Sequence, residues 1–168
     1  MFEVLGVLEV DGPVRVSAAF SRLLRLPGVT VRDVAFDDAE LVVTVTVRLR
    51  RRRLACPQCR YSTRHRHDQR KVASRWRHLD VGVWQLEIRA VLRRLTCPTH
   101  GVLVEGVPFA RHLADFTRDF ECLVAWLATR TDKTAITRLV RINWRTVGRI
   151  IARVSAEELD PDRLNNPL

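Results

Sequence analysis

Cys56-Pro57-Gln58-Cys59 and Cys97-Pro98-Thr99-His100 are the two stretches that decide how this chain folds. In each, two soft ligands are separated by two residues, the reach at which a tight turn presents both to one tetrahedral ion. Proline after each first cysteine shapes the turn and lets backbone amides point at sulfur. Thirty-seven residues lie between the stretches, enough for a β-hairpin to leave the first knuckle and return to the second. Three thiolates and one imidazole form a closed set of four, which marks a structural and not a catalytic zinc. The expected cofactor is therefore Zn²⁺, held by Cys56, Cys59, Cys97 and His100. Two disulfides are the alternative for four cysteines. The fourth, Cys122, lies in an amphipathic helical pattern, and the chain opens without an export signal, so zinc explains the spacing better. His65, His67 and His78 lack the knuckle spacing and are expected to meet solvent or phosphate.

Outward from the knuckles the dominant feature is charge. The 168-residue chain has a net charge of +10, and 27 of its 29 basic residues are arginine. Residues 1–47 carry four arginines against seven acids, residues 48–94 fifteen basic residues against three acids, and residues 101–168 ten against nine. The excess sits around the knuckles. A GC-rich genome accounts for a preference of Arg over Lys but not for this clustering. Arg50, Arg51, Arg52 and Arg53 run into the first knuckle, and Arg60 and Arg64 follow it. Fixed near a metal-stapled turn, they suit nonspecific, salt-dependent phosphate contact; a merely solvated face is the plainer alternative. Trp76 and Trp84 are expected in the core of the ribbon.

The remaining pattern predicts an α+β chain: an N-terminal helix and β-hairpin leading into a zinc ribbon, then a small three-helix helix-turn-helix domain. Residues 1–17 are an N-terminal extension, 18–107 the β-rich zinc-ribbon domain, 108–158 the helix-turn-helix domain and 159–168 a C-terminal tail. Ser17 opens a short helix with Phe20, Leu23 and Leu24 on one face, ended by Pro27-Gly28. Val43, Val45 and Val47 alternate with Thr44, Thr46 and Arg48, the period of a strand, after the acidic turn at residues 37–40. Leu86, Ile88, Ala90 and Leu92 alternate likewise before the second knuckle. In such a ribbon the metal stands in for a core too small to be stable alone.

Thr117 is placed to cap a helix, with Asp119 and Glu121 in its first turn. Asp115, Asp119, Glu121 and Asp132 are expected as helix-start and surface residues. Ile136, Val140, Ile142, Val147 and Ile150 fall where two short helices would bury their contact. Arg141 stands in the turn where glycine is usual. A recognition helix from Asn143 would present Arg145, Thr146, Arg149 and Arg153; an ordinary three-helix packing unit with a basic face is the alternative.

Several classes are not supported. There is no phosphate-cradling glycine loop, no nucleophile elbow, no open metal site and no acid set suited to two-metal phosphoryl transfer. No apolar run reaches the ~20 residues that span a bilayer, so no membrane partner is expected and the location is expected to be cytoplasmic.

The order of these motifs carries a resemblance. CPQC, Trp76-Arg77-His78-Leu79-Asp80, CPTHG, Val107-Pro108-Phe109-Ala110, residues 116–121, Thr134-Ala135 and residues 141–147 together resemble the N-terminal part of insertion-sequence transposases of the ISL-three family, over roughly residues 18–160. Members combine a zinc-binding module, a helix-turn-helix and a ribonuclease-H-like domain with a DDE acid triad. The resemblance implies binding of double-stranded DNA at transposon terminal inverted repeats, with the reading helix at residues 143–154. The chain stops near Asp160-Pro161, about where the catalytic domain would begin, so the expectation is a non-enzymatic, truncated part. Residues 1–17 precede the usual family start. Two other roles stay open: a dimerisation or protein-interaction module, with a homo-oligomer or intact transposase as partner, and a regulatory DNA-binding protein that inhibits transposition by occupying the same repeats.

Overall fold

The alternation at residues 42–49 builds the centre of a sheet. A computed structural model describes residues 15–158; the extension's residues 1–14 and the tail 159–168 lie outside them. Strand β1 (Val29–Asp37) and strand β2 (Val42–Leu49) form an antiparallel hairpin. Asp37 closes its turn, its Oδ1 accepting from the amides of Ala39 and Glu40. Helix α1 (Val16–Leu24) packs on β1 through the buried Phe20. It ends where Arg25 turns left-handed, and Leu23, expected on the buried face, is exposed.

After β2 the chain leaves the sheet to build the knuckles and then returns. Strands β3 (Leu54–Ala55) and β4 (Ser62–Thr63) pair around the first knuckle. Strand β5 (Asp68–Gln69) follows, then β6 (Ser74–Arg77) and β7 (Gln85–Ala90), which rejoin the first sheet. The sheet order is β1-β2-β7-β6, with β2 and β7 parallel. Val43 lies opposite Leu86 and Val45 opposite Ile88, all four inaccessible to solvent. Both strands alternate, so one register buries both apolar sets on the same face. Trp76, from β6, meets Phe109 edge-on, and Trp84 meets Phe36 likewise. Both tryptophans therefore belong to the sheet lobe, whose core forms without the knuckle residues.

Strand β8 (Arg93–Cys97) enters the second knuckle and β9 (Gly101–Val104) leaves it, giving a second sheet in the order β5-β8-β9. The buried core of this knuckle lobe is only Leu54, Cys56, Leu95 and Cys97, with Tyr61 and Leu103 against it. Glu105 is buried at its edge, taking three hydrogen bonds from Arg93 at 2.6–2.9 Å.

Three helices complete the described residues: α2 (Arg118–Ala128), α3 (Lys133–Val140) and α4 (Trp144–Glu158). Phe120, Val124, Ile136, Val140, Val147, Ile150 and Val154 form their core. Thr117 caps α2 as the sequence suggests, its hydroxyl accepting from the Phe120 amide. Phe109 and Ala110 pack in the sheet core, and the Arg77 amide bonds the Asp115 carbonyl while Arg77 accepts from the Thr117 amide. These bonds tie the start of α2 to strand β6. Two side chains expected at the surface are buried there: His78 lies with Nδ1 2.7 Å from Thr117 Oγ1, and Glu121 lies between arginines. No helix of the described residues is long and apolar enough to cross a membrane.

Candidate metal centre and nucleic-acid interface

The two knuckles bring Cys56, Cys59, Cys97 and His100 together, with one ligand atom from each inside a group no more than 4.8 Å across. Cys59 Sγ lies 3.7 Å from Cys97 Sγ; His100 Nδ1 lies 3.7 Å from Cys56 Sγ and 3.5 Å from Cys97 Sγ. A tetrahedral zinc with Zn–S near 2.3 Å and Zn–N near 2.0 Å has S···S and S···N edges of about 3.5–3.8 Å. The donor set and these three edges fit such an ion. Cys56 and Cys97 are buried, while Cys59 and His100 lie nearer the surface.

The knuckle backbone also prepares the sulfurs. Burial works against ionisation of Cys97, but the amides of His100 and Thr99, with the His100 and Cys59 side chains, outweigh it and bring the thiol down to about 6. At Cys59 the Tyr61 amide pulls the pKa down, yet burial and the neighbouring Cys56 and Cys97 together push it up. Three thiols at contact distance cannot all ionise against one another; a dication in their midst removes that conflict.

The α3–α4 unit has the build of a helix-turn-helix. Asp132 caps α3, its carboxylate accepting from the Ala135 amide at 3.0 Å, and amide bonds led by that one hold its pKa below the usual range. Arg141 makes the turn in the left-handed conformation, with φ +55°. Asn143 then opens α4, its Oδ1 accepting from the Thr146 amide at 2.8 Å. Val147, Ile150 and Val154 face the core.

Of the recognition residues expected from sequence, Arg145 and Arg149 stand exposed, Arg149 3.6 Å from Asp115. The other three are engaged in the fold. Asn143 is an exposed cap. Thr146 is only 8% accessible, and Arg153 is ion-paired to Glu121. Residues 146, 150 and 153 follow i, i+4, i+7 and so share the face of Ile150, whereas 145 and 149 form an i, i+4 pair on another face. Trp144, which sequence reasoning passed over, is exposed at the start of α4 with Lys133 Nζ 5.2 Å from its ring centre. An exposed tryptophan on the first turn of a polar helix face was the available signal.

The arginine run divides too. Arg50 donates to Thr30 Oγ1 at 3.1 Å, and Arg53 donates to Ser62 Oγ and to the Ser62 carbonyl, the latter at 2.7 Å. Arg51, Arg52, Arg60 and Arg64 are exposed, with no side-chain bond among the described residues. The run is therefore half anchored to strands β1 and β4 and half open to solvent.

A sheet lobe, a Cys₃His cluster and three short helices with a capped, arginine-bearing last helix define a helix-turn-helix protein with a candidate metal centre. Residues 105–155 match the helix-turn-helix domain of transposase family ISL3. Over 141 residues the chain is 41% identical to the transposase for insertion sequence element IS1557 of Mycobacterium tuberculosis, in strains CDC 1551 / Oshkosh and ATCC 25618 / H37Rv alike. The alignment covers 81% of this chain and 32% of that transposase, so the chain spans about a third of the length of the curated relatives it matches. No solved structure matches. The chain thus carries the helix-turn-helix domain of the ISL3 transposases and is related over most of its length to an insertion-sequence transposase.

Proposed function

We propose that these residues are a DNA-binding part of an insertion-sequence transposase, docking on duplex DNA at the element's terminal inverted repeats. The observation that carries the reading is α4: behind a glycine-free but left-handed turn it buries Val147, Ile150 and Val154 and leaves Arg145 and Arg149 outward. Those two guanidiniums are placed to reach base edges in a major groove. Arg51, Arg52, Arg60 and Arg64 add phosphate contacts that fix register without reading sequence. Zinc on Cys56, Cys59, Cys97 and His100 supplies a closed cross-link that holds the knuckle lobe, and so the arginines flanking it, in place. In this reading the described residues bind DNA and do not cut it.

A titration of the protein on the parent element's terminal repeat and on a scrambled duplex, across a range of salt, tests the reading. Binding should prefer the repeat and weaken steeply with salt. Changing Arg51 and Arg52 to glutamine should weaken both duplexes alike and reduce the salt slope by about one per lost phosphate contact. Equal affinity for repeat and scrambled DNA in the wild type would reject repeat recognition.

A further inference from the structure

The residue in the α3–α4 turn is an arginine in a conformation that suits glycine. Arg141 has φ +55° and ψ +47°, where a Cβ is crowded and a residue other than glycine, asparagine or aspartate is uncommon. Such a residue persists when its surroundings over-determine it. Here its guanidinium reaches back across the molecule to the β6–β7 connection. Nη1 donates to the Val83 carbonyl at 3.2 Å, and Nη2 bonds Asp80 Oδ2. Asp80 is already engaged: its other oxygen takes a hydrogen bond from Arg77, which is largely buried on the sheet. Burial lowers the Arg77 pKa, and the charge of Arg141 lowers it further while Asp80 opposes both. One carboxylate thus joins two guanidiniums, one from the sheet lobe and one from the helix-turn-helix turn.

The position of this joint matters. The helical lobe is fastened to the rest of the chain at the start of α2, through Thr117 with His78 and Arg77, in the middle of α4, through the exposed Arg149–Asp115 pair at 3.6 Å, and at the end of α4, through Arg111 with Glu157. None of these bonds reaches the α3–α4 turn, from which α4 begins. Among the described residues, Arg141 is the hydrogen-bonded tie at that end, beside Leu79, which packs against the helical core.

We propose that Arg141 is a positioning residue: with Asp80 it locks the reading end of α4 against the sheet lobe, so that helix and arginine run meet DNA as one rigid head at fixed spacing. The inference rests on the DNA-binding reading above. It concerns neither base contacts nor the metal, and glycine at this position would make a sound local turn but no lock.

That difference supplies the test, with three variants of the full chain. Arg141→Gly removes the tie and eases the turn. Asp80→Asn leaves the turn intact but sets Arg77 and Arg141 against each other with no anion between them. Arg141→Ala keeps the strained backbone and loses the tie. The DNA probe is a duplex selected by the wild type from a random pool, footprinted, with two base pairs then inserted between protected segments. The insertion rotates one segment by roughly 70° about the helix axis relative to the other. The wild type should lose about tenfold or more in affinity on the insertion, and Arg141→Gly and Asp80→Asn should each lose less than about threefold relative to their own binding of the parent duplex. Arg141→Gly should unfold no more readily than the wild type, which separates loss of the tie from loss of the fold, and Arg141→Ala should be less stable than Arg141→Gly. Without DNA, amide exchange at Ile142 and Asn143 should be several-fold faster in Asp80→Asn. A wild type that selects no sequence rejects the DNA reading and leaves the exchange measurement to decide the lock. Unchanged exchange in Asp80→Asn, or a spacing profile of Arg141→Gly that matches the wild type, overturns the proposal.

Discussion

Glu121 shows what a single residue costs when burial is read from sequence. Its place in the first turn of α2 suits an acid near a helix N-terminus, which made it look like a surface residue. Its carboxylate is fully inaccessible, with Arg111 at 3.0 Å on one oxygen and Arg153 on the other. Removing one member of a buried ion pair leaves the other uncompensated. Glu121→Ala is expected to lower stability by about 3–5 kcal/mol, measured by urea denaturation. Arg153→Ala should cost less, because Arg111 still covers Glu121, and should leave sequence preference untouched. His78 gives the second residue-scale expectation. Burial pushes its pKa below the ordinary 6.5, with Asp119 opposing, so the folded chain holds it neutral. Below pH 6.5 the unfolded chain takes up a proton that the folded chain resists; stability therefore falls as pH drops through 6.5 and levels off beneath the lower folded pKa. Denaturation midpoints of wild type and His78→Asn between pH 7.5 and 5.5 should diverge in that direction, the wild type falling more steeply. Neither burial was legible in the sequence. Each depends on partners 10 to 39 residues away that no local pattern announces.

Helix α4 sets the same contrast at the scale of an element. The apolar positions Val147 and Ile150 were legible because a 3.6-residue period marks one face, and both are buried. The polar positions were not, since the pattern says which residues are apolar but not how wide the buried stripe is. Thr146 and Arg153 fall within it. Ile150→Ala should destabilise the helical lobe by about 2–5 kcal/mol. Arg149→Ala should leave the fold intact and cost roughly 1–3 kcal/mol at the specific repeat if its guanidinium meets a guanine. Titrating both variants against repeat and scrambled duplexes separates them. An equal loss by Arg149→Ala on both makes that side chain a phosphate contact instead. The strands follow the same rule. Alternation exposed β2 and β7 as half-buried strands, but their parallel pairing, made across the whole first-knuckle excursion, is set by sheet packing and not by either segment alone.

At the scale of the molecule, the four metal-capable residues were legible because a ligand turn is a local feature, and the structure gathers them within 4.8 Å. The size of the region that depends on them was not. A ribbon spanning residues 18–107 implies that metal loss unfolds the whole segment, yet the apolar residues divide into separate cores. The sheet core holds Val43, Val45, Leu86, Ile88, Trp76 and Phe109 among others, the helical core is anchored by Phe120 and Ile136, and the knuckle core has Leu54 and Leu95 with two of the cysteines. The first two are the larger, and the third buries just two leucines beside its cysteines, the one least able to hold without a cross-link. Chelation, or Cys56→Ser with Cys97→Ser, is therefore expected to release about one zinc per chain and to melt the knuckle lobe selectively. Amides of β3, β4, β8 and β9 should lose protection from exchange, while those of β1, β2 and α2 keep theirs. DNA affinity should fall on every sequence, because the loss is of orientation in the flanking arginines and not of α4, the helix proposed to read bases. Metal analysis with hydrogen exchange on the same samples decides it. Loss of protection throughout the sheet would show a single cooperative unit held by the ion, and zinc retained in the double variant would remove these ligands from the site.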